Sequence, residues 1–81
     1  MVVKKRRPAR RNLTGATIKR LRMEAEPRIT QEDMSARVSR LGLALSQEQI
    51  AKIENGQRPV TDVELSAIAR ALKVHVAMLF D

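Results

Sequence analysis

The stretch LSQEQIAKIENG, residues 45–56, decides the fold, because it holds the start, the body and the end of one short helix. Ser46 and Gln49 have the spacing of a capping box, in which each residue satisfies the backbone amide of the other at a helix start. Gly56 stands where a helix can end in a left-handed backbone conformation. The stretch therefore predicts a helix over residues 47–55.

The same helix-start pattern occurs three times, as ITQEDM (29–34), LSQEQI (45–50) and VTDVEL (60–65). Each hexapeptide has a serine or threonine, followed three residues later by Asp, Gln or Glu, and an apolar residue at either end. The polar pair forms a capping box and the apolar pair forms a hydrophobic staple. Together with the apolar spacing elsewhere, these starts predict five helices, near residues 15–25, 31–41, 47–55, 62–72 and 76–80.

Apolar residues recur at helical spacing in each predicted helix, and we expect them to form the core. The predicted inward positions are Ile18, Leu21, Met34, Val38, Leu41, Ile50, Ile53, Leu65, Ile68, Ala69, Leu72, Val76, Leu79 and Phe80. The cluster 78–80 either closes this core or forms a dimer surface. Strand signals are absent, since the chain has one aromatic residue and no sustained alternation. The expected fold is all-α, a compact bundle of five short helices.

The net charge of +7 favours a polyanionic partner. Six of the 16 basic residues and none of the nine acidic ones lie in residues 1–12, which leaves ten basic and nine acidic residues in 13–81. The six are Lys4, Lys5, Arg6, Arg7, Arg10 and Arg11. We expect residues 1–12 to be a disordered basic arm and residues 13–81 to be one domain. A solvated tail with only generic attraction to anions remains the alternative for the arm.

Composition also argues against several other classes of protein. With no cysteine and one histidine, the chain has no expected disulfide, metal site or cofactor. No apolar stretch is long enough to span a membrane, and no apolar segment follows the basic run as in a secretory signal. We therefore expect a cytoplasmic protein with no membrane partner. We also expect no enzymatic activity, because the acidic residues have alternative roles as helix caps and surface charges.

The second and third predicted helices are joined by a short turn that contains Gly42, as in a helix-turn-helix. On a helical wheel, Ile50 and Ile53 mark the inner side of the third helix. The opposite side and its edges carry Gln47, Glu48, Ala51, Lys52 and Asn55. The side chains of glutamine, glutamate and lysine can hydrogen-bond to the edges of base pairs in the DNA major groove. A polar helix face that is merely solvated has the same pattern.

Five segments in this order carry a family resemblance: IKRLR (18–22), TQEDM (30–34), LSQEQIAKIENG (45–56), TDVELSAIARALKV (61–74) and MLF (78–80). Over about residues 13–80 the chain resembles the Cro/repressor-type helix-turn-helix family, also called XRE-like. The resemblance implies a lambda-repressor-like DNA-binding domain of five helices that acts as a homodimer on double-stranded DNA. It also implies a bacterial or phage-encoded regulator, with no small-molecule effector indicated.

The resemblance further implies roles for individual residues. The expected base contacts are Gln47, Glu48 and Lys52. The expected phosphate contacts are Gln31, Asn55 and Arg58. Glu54 matches the structural acid of the family, and Arg22 is its candidate partner.

Two features depart from the common pattern of the family. The stretch between Gln31 and Ile50 is about five residues longer, and we place the extra length in the second helix, at residues 39–41. The first helix runs into MEAEPRIT (23–30), where Pro27 ends it and the usual glycine is absent.

We therefore expect sequence-specific binding of double-stranded DNA through the major groove by a transcriptional regulator, specifically a repressor. The alternative is a protein-interaction module or an antitoxin on the same fold, with weak or partner-dependent DNA binding.

Overall fold

The computed structural model describes residues 13–80, so the predicted arm lies outside the described residues. The chain forms α1 (Leu13–Glu24), α2 (Gln31–Arg40), α3 (Gln47–Glu54) and α4 (Asp62–Leu72), followed by a 3₁₀ segment, Val76–Phe80. No strand occurs in this part of the chain, and the predicted all-α fold is confirmed. None of the helices between residues 13 and 80 is long and apolar enough to cross a membrane.

All three predicted capping boxes are present. The amide of the third helical residue donates to the cap hydroxyl at 2.9 Å for Thr30, 3.1 Å for Ser46 and 3.1 Å for Thr61. The return bonds run from the cap amides to Asp33, Gln49 and Glu64. Each box contributes about 1 kcal/mol. Because both partners of each box lie within four residues, α2, α3 and α4 begin where the sequence predicts.

Glycines end α2 and α3 in the predicted left-handed conformation, with φ of 91° at Gly42 and 77° at Gly56. In each case the two residues after the cap donate their amides back into the last helical turn, which satisfies carbonyls that would otherwise lack partners. The cap residues themselves lie outside the helices, so α2 and α3 end one residue earlier than predicted. The end of α4 differs from this pattern, because Lys73, with φ of 61°, stands where a glycine is usual.

Two elements differ from the prediction. Helix α1 spans Leu13–Glu24 rather than residues 15–25. The last element is a 3₁₀ segment of five residues rather than an α-helix. The tighter turn is seen in the bond from the Met78 amide to the His75 carbonyl at 2.9 Å, which joins residues three apart instead of four.

The core lies between α1, α2 and α4, with α3 packed on α1 and α2. The most deeply buried large side chains are Ile18, Met34, Val38, Ile50, Ile68 and Leu79. All six are among the predicted inward positions. The 3₁₀ segment packs against α1 and α4, and Leu79 is the residue that closes the core there.

Three predicted core positions are wrong. Leu41 and Val76 are each 39% exposed and Phe80 is 60% exposed. Leu41 lies at the cap of α2, after the helical repeat that would have turned it inward has ended. In a segment as short as 76–80, Leu79 takes the inward position, so its neighbour Phe80 is rotated toward solvent. Leu21 is half-buried and packs on the edge of the core.

Candidate nucleic-acid interface

Helix α3 is anchored by one side and exposes the other. Ile50 and Ile53 are 1% and 3% exposed, and α3 packs on α1 and α2. The residues predicted to lie opposite, Gln47, Glu48, Lys52 and Asn55, are all exposed, and Ala51 is half-buried. The result is a rigidly held helix with a continuous polar face.

A buried ion pair fixes the end of α3 to α1. Nε and Nη2 of Arg22 donate to the two carboxylate oxygens of Glu54, each at 2.8 Å. Their side chains are only 7% and 1% exposed. The remaining Nη1 of Arg22 donates to the carbonyl of Ile29 at 3.0 Å, so the pair also holds the chain that leads into α2. Two parallel bonds of this kind fix orientation as well as distance.

A chain of hydrogen bonds leads from this ion pair to the exposed face of α3. The side-chain amide of Gln31 donates to Glu54 at 3.0 Å, and Gln47 donates to the carbonyl oxygen of Gln31, also at 3.0 Å. An ionised carboxylate only accepts hydrogen bonds, so Gln31 must turn its NH₂ group to Glu54 and its oxygen to Gln47. Gln47 is thereby oriented, and it keeps its own carbonyl oxygen and one N–H for a ligand.

The turn between α2 and α3 is tied to α2 by Ser35. Its hydroxyl donates to the carbonyl of Leu45 at 2.6 Å. Since Leu45 directly precedes the Ser46 cap, the bond from Ser35 fixes the start of α3 relative to α2.

The extra length is predicted to lie in α2, at residues 39–41. Helix α2 includes residues 39 and 40, and Leu41 is its cap.

Arg58, an expected phosphate contact, lies in the loop after α3 and is engaged inside the domain. Nη1 and Nη2 donate to the two carboxylate oxygens of Glu64 at 3.0 and 2.9 Å, and Nη1 also donates to the carbonyl of Pro59 at 3.2 Å. These bonds lower the pKa of Glu64 below its usual range and raise the pKa of Arg58. Arg58 keeps its Nε–H and one N–H of Nη2 for a ligand.

One basic residue beside the site is absent from the sequence-based prediction. Arg28 is exposed and lines the same hollow as Gln31 and Gln47. The signal that could have found it is its position in the loop directly before the Thr30 cap of α2. A cation there lies next to the helix end at which backbone amides point outward.

The start of α1 lies against the end of α3. Thr14 lines a hollow together with Gln57 and Arg58. Gly15 is packed so closely that a Cβ atom at this position would overlap the carbonyl oxygen of Ile53. Helix α1 therefore begins beside the end of α3, although the arm itself lies outside the described residues.

A family model described as Helix-turn-helix matches residues 18–79, a span that includes the whole of α2, α3 and α4. Comparison with curated proteins and with solved structures gave no significant match. The matched span contains the buried ion pair, the hydrogen-bond chain and the exposed face of α3. The chain therefore belongs to the XRE-like helix-turn-helix family of DNA-binding domains.

Proposed function

We propose that the protein binds double-stranded DNA sequence-specifically, as a homodimer, by placing the exposed face of α3 in the major groove. Its role is that of a transcriptional regulator, and specifically a repressor. The observation that carries the proposal is the arrangement of Gln47, an exposed side chain held by Gln31, which is itself held by the buried carboxylate of Glu54. A glutamine that only faced solvent would need no hydrogen bonds to hold its side-chain amide in one orientation.

The chemistry of Gln47 fits adenine. A glutamine that reads adenine accepts from the N6 amino group and donates to N7. The carbonyl oxygen and the second N–H that Gln47 keeps are one acceptor and one donor of this kind. The hydrogen bond from Gln47 to Gln31 fixes the orientation of the Gln47 side-chain amide. Little rotamer entropy is therefore lost when Gln47 contacts a base.

Glu48 and Lys52 lie one helical turn apart on the same face, and no ion pair joins them within the described chain. The carboxylate of Glu48 matches the amino group of cytosine, and the ammonium of Lys52 matches the acceptors of guanine. The small side chain of Ala51, between them in sequence, lets the helix approach the base edges closely. We assign base contacts to these residues and to Gln47.

Phosphate contacts come from the rim of this face. Gln31 is the first residue of α2, where backbone amides point out of the helix end, and Arg28 adds a positive charge beside it. Asn55 and Arg58 lie at the other end of α3. Arg58 donates to a phosphate through its Nε–H and the second N–H of Nη2, which are not bonded to Glu64 or Pro59.

The basic arm adds electrostatic affinity. It directly precedes α1 in the sequence and carries six positive charges, and the start of α1 lies beside the end of α3. Arginines of such arms can enter an adjacent minor groove. Neutralised phosphates release counterions, which makes binding strongly dependent on salt.

The dimer surface is assigned to the C-terminal segment. Leu79 is fully buried, whereas Val76, Met78 and Phe80 are 39%, 44% and 60% exposed. Exposed apolar side chains clustered in five residues are typical of an interaction surface. A dimer formed through this C-terminal surface is two-fold symmetric, so it matches a pseudo-palindromic DNA site. Phe80→Glu is expected to lower dimer stability in sedimentation equilibrium without unfolding the monomer.

Selection of binders from randomised duplexes, at a low and a high salt concentration, tests the proposal. We expect enrichment of two related half-sites about one helical turn apart, with adenine fixed at one position of each. Recovery of unrelated sequences at both salt concentrations would contradict it. In that case a pull-down from native lysate tests the alternative, a protein-interaction module or an antitoxin.

A further inference from the structure

Four basic side chains that are not part of the proposed DNA surface lie together at the ends of α2 and α4. Arg37 and Arg40 of α2 line one hollow with Arg70 and Lys73 at the end of α4. None of the four pairs with a carboxylate within residues 13–80. Arg37 donates to the carbonyl of Ala71 at 2.9 Å, which joins the two helices, and the other three are exposed.

An apolar hollow adjoins this basic cluster. It lies between the turn after α2 and the outer side of α4, and the two hollows share Leu41 and Arg70. Its apolar wall comes from Leu41, Leu43, Val63 and Ala67. Val63 is 68% exposed and Leu41 is 39% exposed, so both apolar side chains are open to solvent. Together the hollows form one groove with an apolar end and a basic end.

The groove runs along α4 from Val63 through Ala67 and Arg70 to Lys73, about 16 Å at most at about 1.5 Å per residue. That length matches about three turns of a second helix. None of its lining residues belongs to α3, and none is shared with the hollow that contains Gln31 and Gln47. The groove is therefore made of residues other than those assigned to the proposed DNA surface.

We propose that this groove binds an amphipathic, acidic helix of a partner protein. Apolar side chains at helical spacing would cover Leu41, Leu43 and Val63, and carboxylates at one end would pair with the four basic residues. Charge complementarity selects this occupant, since Asp62 is the one acidic residue among the lining residues. A phosphate backbone would leave the apolar end uncovered.

A second copy of the chain is a poorer match. Among the described residues, Glu54 and Glu64 are held in ion pairs, and Asp33 is held in a helix cap. Glu24 is paired with Arg20 on the same helix. We therefore favour a different protein as the partner.

Amide-resolved NMR titration of the full chain tests this proposal. The probe is a synthetic peptide of about 14 residues with leucines at helical spacing and a final turn of glutamates. We expect saturable shifts confined to residues 37–43 and 62–73. Arg70→Glu is expected to weaken the peptide at least tenfold, whereas Lys19→Glu, an equal charge change at an exposed site on α1, is expected to leave binding unchanged.

Three results would overturn the proposal. One is the absence of saturable shifts, and another is equal binding of a peptide with glutamines in place of glutamates. The third is the appearance of the same shifts without the peptide. Shifts on dilution of the protein alone would assign the groove to a second copy, and shifts on addition of short duplex DNA would assign it to nucleic acid. Because the groove shares no residue with the surface of α3, these outcomes are independent of the DNA-selection experiment.

Discussion

Arg22 and Glu54 form a bidentate ion pair whose side chains are 7% and 1% exposed, and the same carboxylate accepts from Gln31. This pair connects the packing of the domain to the orientation of the proposed base-reading side chains. Its two charges lie where water cannot replace a missing partner. The energetic consequence of removing one charge is therefore large.

The first prediction concerns this pair. Glu54→Gln removes the charge that compensates Arg22, and we expect the free energy of unfolding to fall by about 3 kcal/mol. Urea denaturation at neutral pH measures it. The double variant Arg22→Met/Glu54→Leu is expected to lose less than the two single variants together, because no unpaired charge remains. Additive losses would contradict the role given to the pair.

The same double variant separates folding from binding. Gln31 loses its acceptor in Glu54, so Gln47 is no longer oriented. We expect weaker DNA binding even at temperatures where the double variant is fully folded.

The second prediction concerns Gly15. A methyl group there would overlap the backbone of Ile53, which can yield only if α1 moves away from α3. We expect Gly15→Ala to cost about 1–3 kcal/mol in thermal or urea unfolding. Helix propensity alone predicts the opposite sign, a gain of up to about 1 kcal/mol. Ala36→Gly, at an exposed site of α2, measures that propensity effect separately.

The third prediction is a dependence on pH. The bonds from Arg58 lower the pKa of Glu64 in the folded protein, so the unfolded chain takes up the proton first as pH falls. The contribution of the pair is full above about pH 5 and is lost as pH falls below about 4. Glu64→Gln keeps an acceptor for the Thr61 cap, and we expect it to cost about 1 kcal/mol at neutral pH. A difference from wild type that stays constant down to low pH would exclude this assignment.

The fourth prediction concerns the arm. Deleting residues 1–11 is expected to weaken DNA binding and to flatten its salt dependence, by about 0.9 in the log–log slope for each phosphate that the arm no longer neutralises. A full-length variant with glutamine at the six basic positions controls for chain length. An unchanged slope in both variants would show that the arm does not bind phosphates.

The sequence predicts the local features of this fold well and the long-range ones poorly. Capping boxes and terminal glycines act over a few residues, so the starts of α2, α3 and α4 and the ends of α2 and α3 can be predicted from the chain. Lys73 shows the limit, because it adopts a left-handed conformation that a lysine does not favour and that its identity therefore does not predict. The exposure of Leu41 and Phe80 likewise depends on where short elements end.

For the candidate site, the wheel of α3 predicts which residues are exposed, since Ile50 and Ile53 set its orientation. Three other features join residues distant in sequence and have no local pattern. These are the bond between Gln31 and Glu54, the bond between Gln47 and Gln31, and the close approach of Gly15 to Ile53.

The central claim is that the exposed face of α3 reads base pairs, and Lys52→Ala tests it most directly. The affinities of wild type and variant are measured on the selected duplex and on every single-base-pair substitution of it. We expect the variant to lose discrimination at one position of each half-site, at a cost of about 1–3 kcal/mol on the preferred sequence. An equal loss of affinity on every duplex would make Lys52 a phosphate-binding residue and contradict the claim.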